Sequence, residues 1–165
     1  MPLIKKKIPQ VKLTIAGEGD LAPYEEYMTE DIKDNIVIVN RYLDEKEVAP
    51  FFQKASIVVI PYHEASSSGL VQCSYAFGKP LISTNVGAIP EVVENRRTGI
   101  LIPPNNPGIL AKEIVKLLKD DKKMKMLGEN GYLKMKNFMN WDYQSKILQA
   151  EYKKLVEEKE SKKKK

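Results

Sequence analysis

Residues 61–93 read PYHEASSSGLVQCSYAFGKPLISTNVGAIPEVV, and the order of turns in that stretch decides the fold. An apolar run, Ile57 to Ile60, leads into Ser66, Ser67, Ser68 and Gly69, after which a helix extends to about Phe77. A second short strand, PLISTN, leads into a turn at Val86 to Ala88 and a helical turn opened by Pro90 and Glu91. A serine at a helix start caps backbone donors, and the amides it leaves over, with the helix dipole, suit a phosphate-sized anion. Gly87 lets the backbone approach a ligand closely, and Pro90 removes a donor that the first helical turn does not need. Plain helix punctuation accounts for either turn alone. Two such turns, each after a strand, also fit amides aimed at one anionic ligand.

Working outward, Val11–Gly17, Asn35–Tyr42 and Ala55–Tyr62 read as strands rich in Ile and Val. The segment DLAPYEEYMTEDI reads as a helical connection, and DEKEVAPFFQKA as a helix that Pro50 kinks or shortens. Downstream, Thr98–Pro103 reads as a short strand, followed by helices over Gly108–Lys119, Lys122–Phe138 and Asp142–Glu157. Near-continuous apolar strands alternating with helices predict an α/β fold, a parallel sheet with helices on both faces. Ligands of such sheets bind beyond the carboxyl ends of the strands, where both glycine-bearing turns fall.

Composition narrows the chemistry. The 165 residues suit one domain, with 42% hydrophobic and 30% charged residues. Cys73 is the only cysteine and His63 the only histidine, which excludes an intramolecular disulfide, a four-cysteine metal site and a His-rich metal centre. His63 beside Glu64 has no evident Ser or Cys partner for nucleophilic chemistry and reads more simply as a structural polar residue. No apolar run approaches the roughly 20 residues that span a bilayer, so a cytoplasmic location is expected. Of the net charge of +5, four lysines sit at Lys162 to Lys165, so residues 159–165 read as a charged flexible tail and nucleic acid is not expected as a partner. Weak peripheral membrane contact through lysine-rich helices is a secondary expectation. GEGD lacks the third glycine of a dinucleotide fingerprint, and FGKP lacks the spacing of a P-loop.

Taken together, PYHEASSSG, QCSYAFGKPLIST and NVGAIPEVVENRRTGILIPP resemble the carboxyl-terminal donor-binding domain of retaining glycosyltransferases of the two-domain GT-B type, in the group 1 class that includes sucrose and glycogen synthases. The resemblance runs from about Lys12 to Leu155. It implies a Rossmann-like GT-B carboxyl-terminal lobe lacking its first strand, with residues 1–158 forming a nucleotide-sugar-binding domain, and it implies no cofactor and no metal. By the same resemblance, amides of Ser68, Gly69, Leu70 and Val71 face the diphosphate, and those of Gly87, Ala88 and Ile89 lie close to phosphate and donor sugar. Glu64 matches the first carboxylate of the family's paired-glutamate motif and is the catalytic candidate, Glu91 is placed to accept from sugar hydroxyls, and the loop of Asn40, Arg41 and Tyr42 borders the base. The second glutamate is absent, its place falling on Gln72 or Cys73, and Ala88 replaces a glycine of the usual Gly-Gly-x-Pro-Glu segment. Gln72 retains the capacity to hydrogen-bond a hydroxyl. The family's upstream basic pair has no counterpart in context, Lys5, Lys6 and Lys7 being the nearest cations in sequence. The implied activity is hexose transfer from a nucleoside diphosphate sugar, completed by an amino-terminal lobe or partner subunit. A non-catalytic nucleotide-sugar-binding module and one half of a split enzyme are the alternatives.

Overall fold

The computed structural model describes residues 1–163. Among the described residues, five parallel strands are interspersed with seven α-helices: α1 (Pro2–Lys5), β1 (Leu13–Ala16), β2 (Ile36–Val39), α2 (Glu45–Lys54), β3 (Val58–Ile60), α3 (Gly69–Ala76), β4 (Leu81–Thr84), α4 (Ile89–Val92), β5 (Ile100–Ile102), α5 (Pro107–Leu118), α6 (Asp121–Phe138) and α7 (Trp141–Lys163). Hydrogen bonding divides the strands into two sheets, β1-β2 and β3-β4-β5. Leu13 pairs with Ile36, Val58 with Leu81, and Ile82 with Ile100. The fold is thus the expected α/β arrangement of parallel strands between helices. The tail expected at 159–165 enters α7 as far as Lys163, and Lys164 and Lys165 lie outside the described residues.

Helices cover both faces of the three-stranded sheet. β4, the central strand, is buried at all four positions, which explains why LIST reads without a clean polar alternation. On one face Ile60 and Leu81 pack with Val71 and Tyr75 of α3, Ile89 of α4 and Val93. On the other, Ile82, Ile100 and Ile102 pack with Leu117 of α5 and Leu127 of α6. Ser83 and Thr84, buried among these residues, return their hydroxyls to the carbonyls of Ile60 (3.0 Å) and Tyr62 (2.7 Å).

Two local expectations change. The connection after β1 forms short 3-10 turns at Ala22–Tyr27 and Lys33–Asn35 instead of an α-helix. None of the residues Ala22–Tyr27 is buried, so no apolar stripe rewards a longer helix there. Pro50 lies inside α2 without ending it, because the carbonyl deprived of a donor, that of Lys46, belongs to an exposed residue.

Tyr75 ties α3 to the β5 side of the domain. Its hydroxyl meets Thr98 Oγ1 at 2.7 Å, and that oxygen also accepts from the Glu94 amide at 3.0 Å. Burial pushes the phenol up to about 12. Because the folded state holds the proton more tightly than the unfolded chain, this contribution is complete below pH ~10 and is lost as pH rises toward 12. Tyr75→Phe should cost about 1 kcal/mol by denaturant titration at neutral pH, and its deficit relative to wild type should shrink between pH 10 and 12.

Candidate functional site

The site is built where β3 and β4 end. Thr84 and Ser83 bind the carbonyls at the end of β3, and the Asn85 amide donates to Ile102 of β5 at 2.9 Å, so both following turns leave from fixed positions. Gly87 has φ 52°, in the left-handed region that favours glycine. A Cβ at Gly87 would lie 1.4 Å from the Ala65 carbonyl oxygen, so the two turns press directly against each other there. His63, Glu64, Ala65, Ser66, Val86 and Gly87 line one open cleft of about 480 Å³. That volume falls within the usual range for small-molecule sites, roughly 300–1,000 Å³.

The start of α3 is open to an acceptor. Ser68 is the N-cap residue, yet its side chain makes no capping bond, its Oγ lying 3.4 Å from the Tyr62 hydroxyl instead. Among the described residues, the amides of Ser68, Gly69 and Leu70 donate to no carbonyl or side chain. Val71 is a core residue, 1% exposed, whose amide turns back to the Ser68 carbonyl at 3.3 Å, whereas Gln72 is exposed on the same helix. At the second turn, the Gly87 and Ala88 amides likewise have no acceptor among the described residues. The Ile89 amide does have one, the Val86 carbonyl at 3.2 Å, and its side chain is buried. Glu64 and Glu91 are both exposed.

Arg41 and Tyr42 belong to a separate rim. Arg41 forms a two-pronged ion pair with Glu47 (2.9 and 2.5 Å) and donates to the Tyr42 carbonyl at 3.0 Å. The guanidinium hydrogen bond, with help from the Asp44 amide, pulls the Glu47 carboxyl down to about 2. Much of the Arg41 charge is therefore answered within the chain. Tyr42 is 73% exposed rather than packed at the strand end. Just upstream, the Asn40 side-chain amide both accepts from the Gly19 N–H and donates to the Gly19 carbonyl, each at 3.0 Å, clipping the turn after β1 to the turn after β2.

The structure therefore brings Glu64 and Gly87 to one cleft, places the free amides of α3 two residues beyond its Ser66 wall, and keeps Arg41 and Tyr42 outside its lining. Ala65, Ser66 and Val86 also line it. Ser66 and Val86 belong to the two turns that the sequence marks, whereas the only sequence signal of Ala65 is adjacency to Glu64. Among the described residues no three His, Cys, Asp or Glu side chains gather to hold a metal ion. None of the described helices is long and apolar enough to cross a membrane.

Comparison with known proteins joins this geometry to a family. Residues 1–120 match the family model described as "Glycosyl transferases group 1". The chain is 31% identical over 129 residues to an uncharacterised glycosyltransferase of Methanocaldococcus jannaschii, covering 78% of this chain and 36% of that protein. In fold it is similar to the carboxyl-terminal domain of a group 1 glycosyltransferase from Francisella tularensis, with TM-score 0.75, 20% identity, and 84% and 75% of the two chains covered. It is also similar to Anabaena HepE solved in complex with UDP, with TM-score 0.69, 16% identity, and 93% and 45% covered. The chain spans 21 to 39% of the length of the curated relatives it matches. With residues 1–120 matching that model, the chain belongs to the group 1 glycosyltransferases.

Proposed function

We propose that residues 1–158 form the donor-binding lobe of a retaining glycosyltransferase that transfers a hexose from a nucleoside diphosphate sugar, acting in the cytoplasm with an amino-terminal lobe or partner subunit. The observation that carries this reading is the contact of two turns at one cleft, His63–Ser66 against Val86–Gly87, with the free amides of Ser68, Gly69 and Leu70 following the first of them in the chain. Hydrogen-bond donors fixed in advance stabilise charge as it develops on a leaving group. In this reading the amides of Ser68, Gly69 and Leu70, with those of Gly87 and Ala88, receive the diphosphate. Glu64 orients the donor sugar at the reacting carbon, Glu91 accepts from its hydroxyls, Gln72 serves a hydroxyl in place of the second carboxylate, and Tyr42 borders the base. Arg41 then acts by holding that loop to α2 through Glu47.

Calorimetry with UDP-, GDP- and ADP-glucose tests the pocket, and transfer assays with simple acceptors test turnover. Glu91→Gln keeps size and removes charge. It should weaken binding of the preferred nucleotide sugar about tenfold while changing affinity for the matching nucleoside diphosphate less than twofold, as expected for loss of one charged hydrogen bond, worth about 1.5–3 kcal/mol. Equal weakening of both ligands would remove Glu91 from sugar recognition, and no binding of any of the three donors would remove the reading itself. The second reading is a binding module without turnover of its own, which binding without transfer would support.

A further inference from the structure

His63 lines the cleft without a part in the donor-binding reading. The sequence suggests a structural polar residue, yet among the described residues its side chain forms no hydrogen bond and no ion pair, and it is exposed. Its backbone is nonetheless held on both sides. The Tyr62 carbonyl just before it accepts from Thr84 Oγ1 at 2.7 Å, and the Ala65 carbonyl two positions after it is pressed by Gly87. A side chain on a fixed segment, with no partner inside the chain, is available to a ligand in the cleft.

Charge balance says which ligand group it meets. Of the six residues that line the cleft, His63 and Glu64 alone have titratable side chains. The diphosphate of a nucleotide sugar carries charge of the same sign as the Glu64 carboxylate, and backbone amides answer it with partial charges only. Arg41 stands outside the lining and is already gripped by Glu47. The imidazole is therefore the one lining side chain that can become a cation, and imidazoles change charge between about pH 5 and 8. We propose that His63, as imidazolium, donates a ring N–H to a phosphate oxygen of the donor, so that donor affinity rises as pH falls through the imidazole titration. This rests on the donor-binding reading and adds to it a side-chain phosphate contact under pH control. An anionic oxygen beside the ring favours its charged form, so the bound donor holds the proton on. Reciprocity then requires protonation to tighten donor binding by the same factor. Neutral imidazole keeps one N–H, so binding at high pH is weakened and not lost.

Because His63 is the only histidine, its ring C–H signal in a proton NMR spectrum identifies itself. The full chain is titrated from about pH 8 to about pH 5.5 alone and with a saturating amount of whichever of UDP-, GDP- and ADP-glucose binds tightest, and Kd is followed by calorimetry over the same range. Each phosphate of these probes keeps one charge throughout, so the protein supplies any pH dependence. The probe should move the His63 midpoint upward by at least about 0.5 pH, and affinity should rise at least about threefold as pH falls. His63→Asn, at an exposed position, should keep the wild-type Tm and bind with little dependence on pH, whereas Glu64→Gln should retain the dependence. Clear binding with an unmoved midpoint, or with the same pH dependence in His63→Asn, would overturn the proposal and leave donor binding standing. A dependence that disappears in Glu64→Gln would assign it to the carboxylate and overturn the proposal as well. Absence of binding by all three probes at every pH is the separate failure of the donor-binding reading, and the proposal falls with it.

Discussion

Gly87→Ala should abolish measurable donor binding and lower stability together. The methyl group would sit 1.4 Å from the Ala65 carbonyl oxygen and 2.6 Å from its carbon, both backbone atoms that cannot swing away as a side-chain tip can. The left-handed φ of 52° adds its own penalty for any residue with a Cβ. Strain and overpacking together come to about 2–5 kcal/mol if the turns stay in contact. The chain can avoid part of that cost only by separating the 63–66 and 86–88 turns, which dismantles the cleft. Calorimetry with the wild type's preferred nucleotide sugar should therefore show at least a hundredfold loss, alongside a Tm lowered by roughly 5–15 °C. A variant with unchanged Tm and unchanged affinity would mean that the contact between turns is dispensable, and the geometric basis of the site would go with it.

Gly128→Ala should be the most damaging conservative change away from the cleft. In an exposed helix the substitution gains up to about 1 kcal/mol of helix propensity. Here α6 lies against the chain at the end of α3, and a Cβ at Gly128 would meet the Gly78 carbonyl oxygen at 2.1 Å. One turn later, a Cβ at Gly131 would meet the Tyr75 ring at 2.4 Å. The carbonyl is fixed by the Gly78 turn, whose φ is 60°, so α6 itself must shift. A net loss of about 1–3 kcal/mol in urea titration is expected, and Gly131→Ala should lose less, because a tyrosine ring can rotate by a few degrees where a backbone carbonyl cannot. A stabilised Gly128→Ala protein would show that α6 packs elsewhere.

Strands were legible because their signal is local: IVIV, VVI and ILI carry β-branched runs between turn residues, and α5 and α6 start beside Asn106 and Asp120, whose side chains accept from Ile109 and Lys123. The cleft was partly legible for the same reason, since Glu64 and Gly87 each belong to a short, recognisable turn. What a linear reading misses are pairings whose partners are far apart or chemically ordinary. Nothing in Ala65 announces that its carbonyl will meet Gly87, 22 positions on, and the grip of Glu47 on Arg41 depends on a loop bending back on its following helix. The division into two sheets escaped for a related reason: each strand has inner-strand composition, and only the ladder reveals which edges lack a neighbour.

The protein's only tryptophan, Trp141, opens α7 and is 89% exposed. Indole emission will therefore already be red-shifted in the native chain and will change little on denaturation, so melting is better followed by circular dichroism. The same placement makes the fluorophore a ready reporter: anything that covers the outer side of α7, where Leu148, Tyr152 and Leu155 are also exposed, should announce itself as a blue shift.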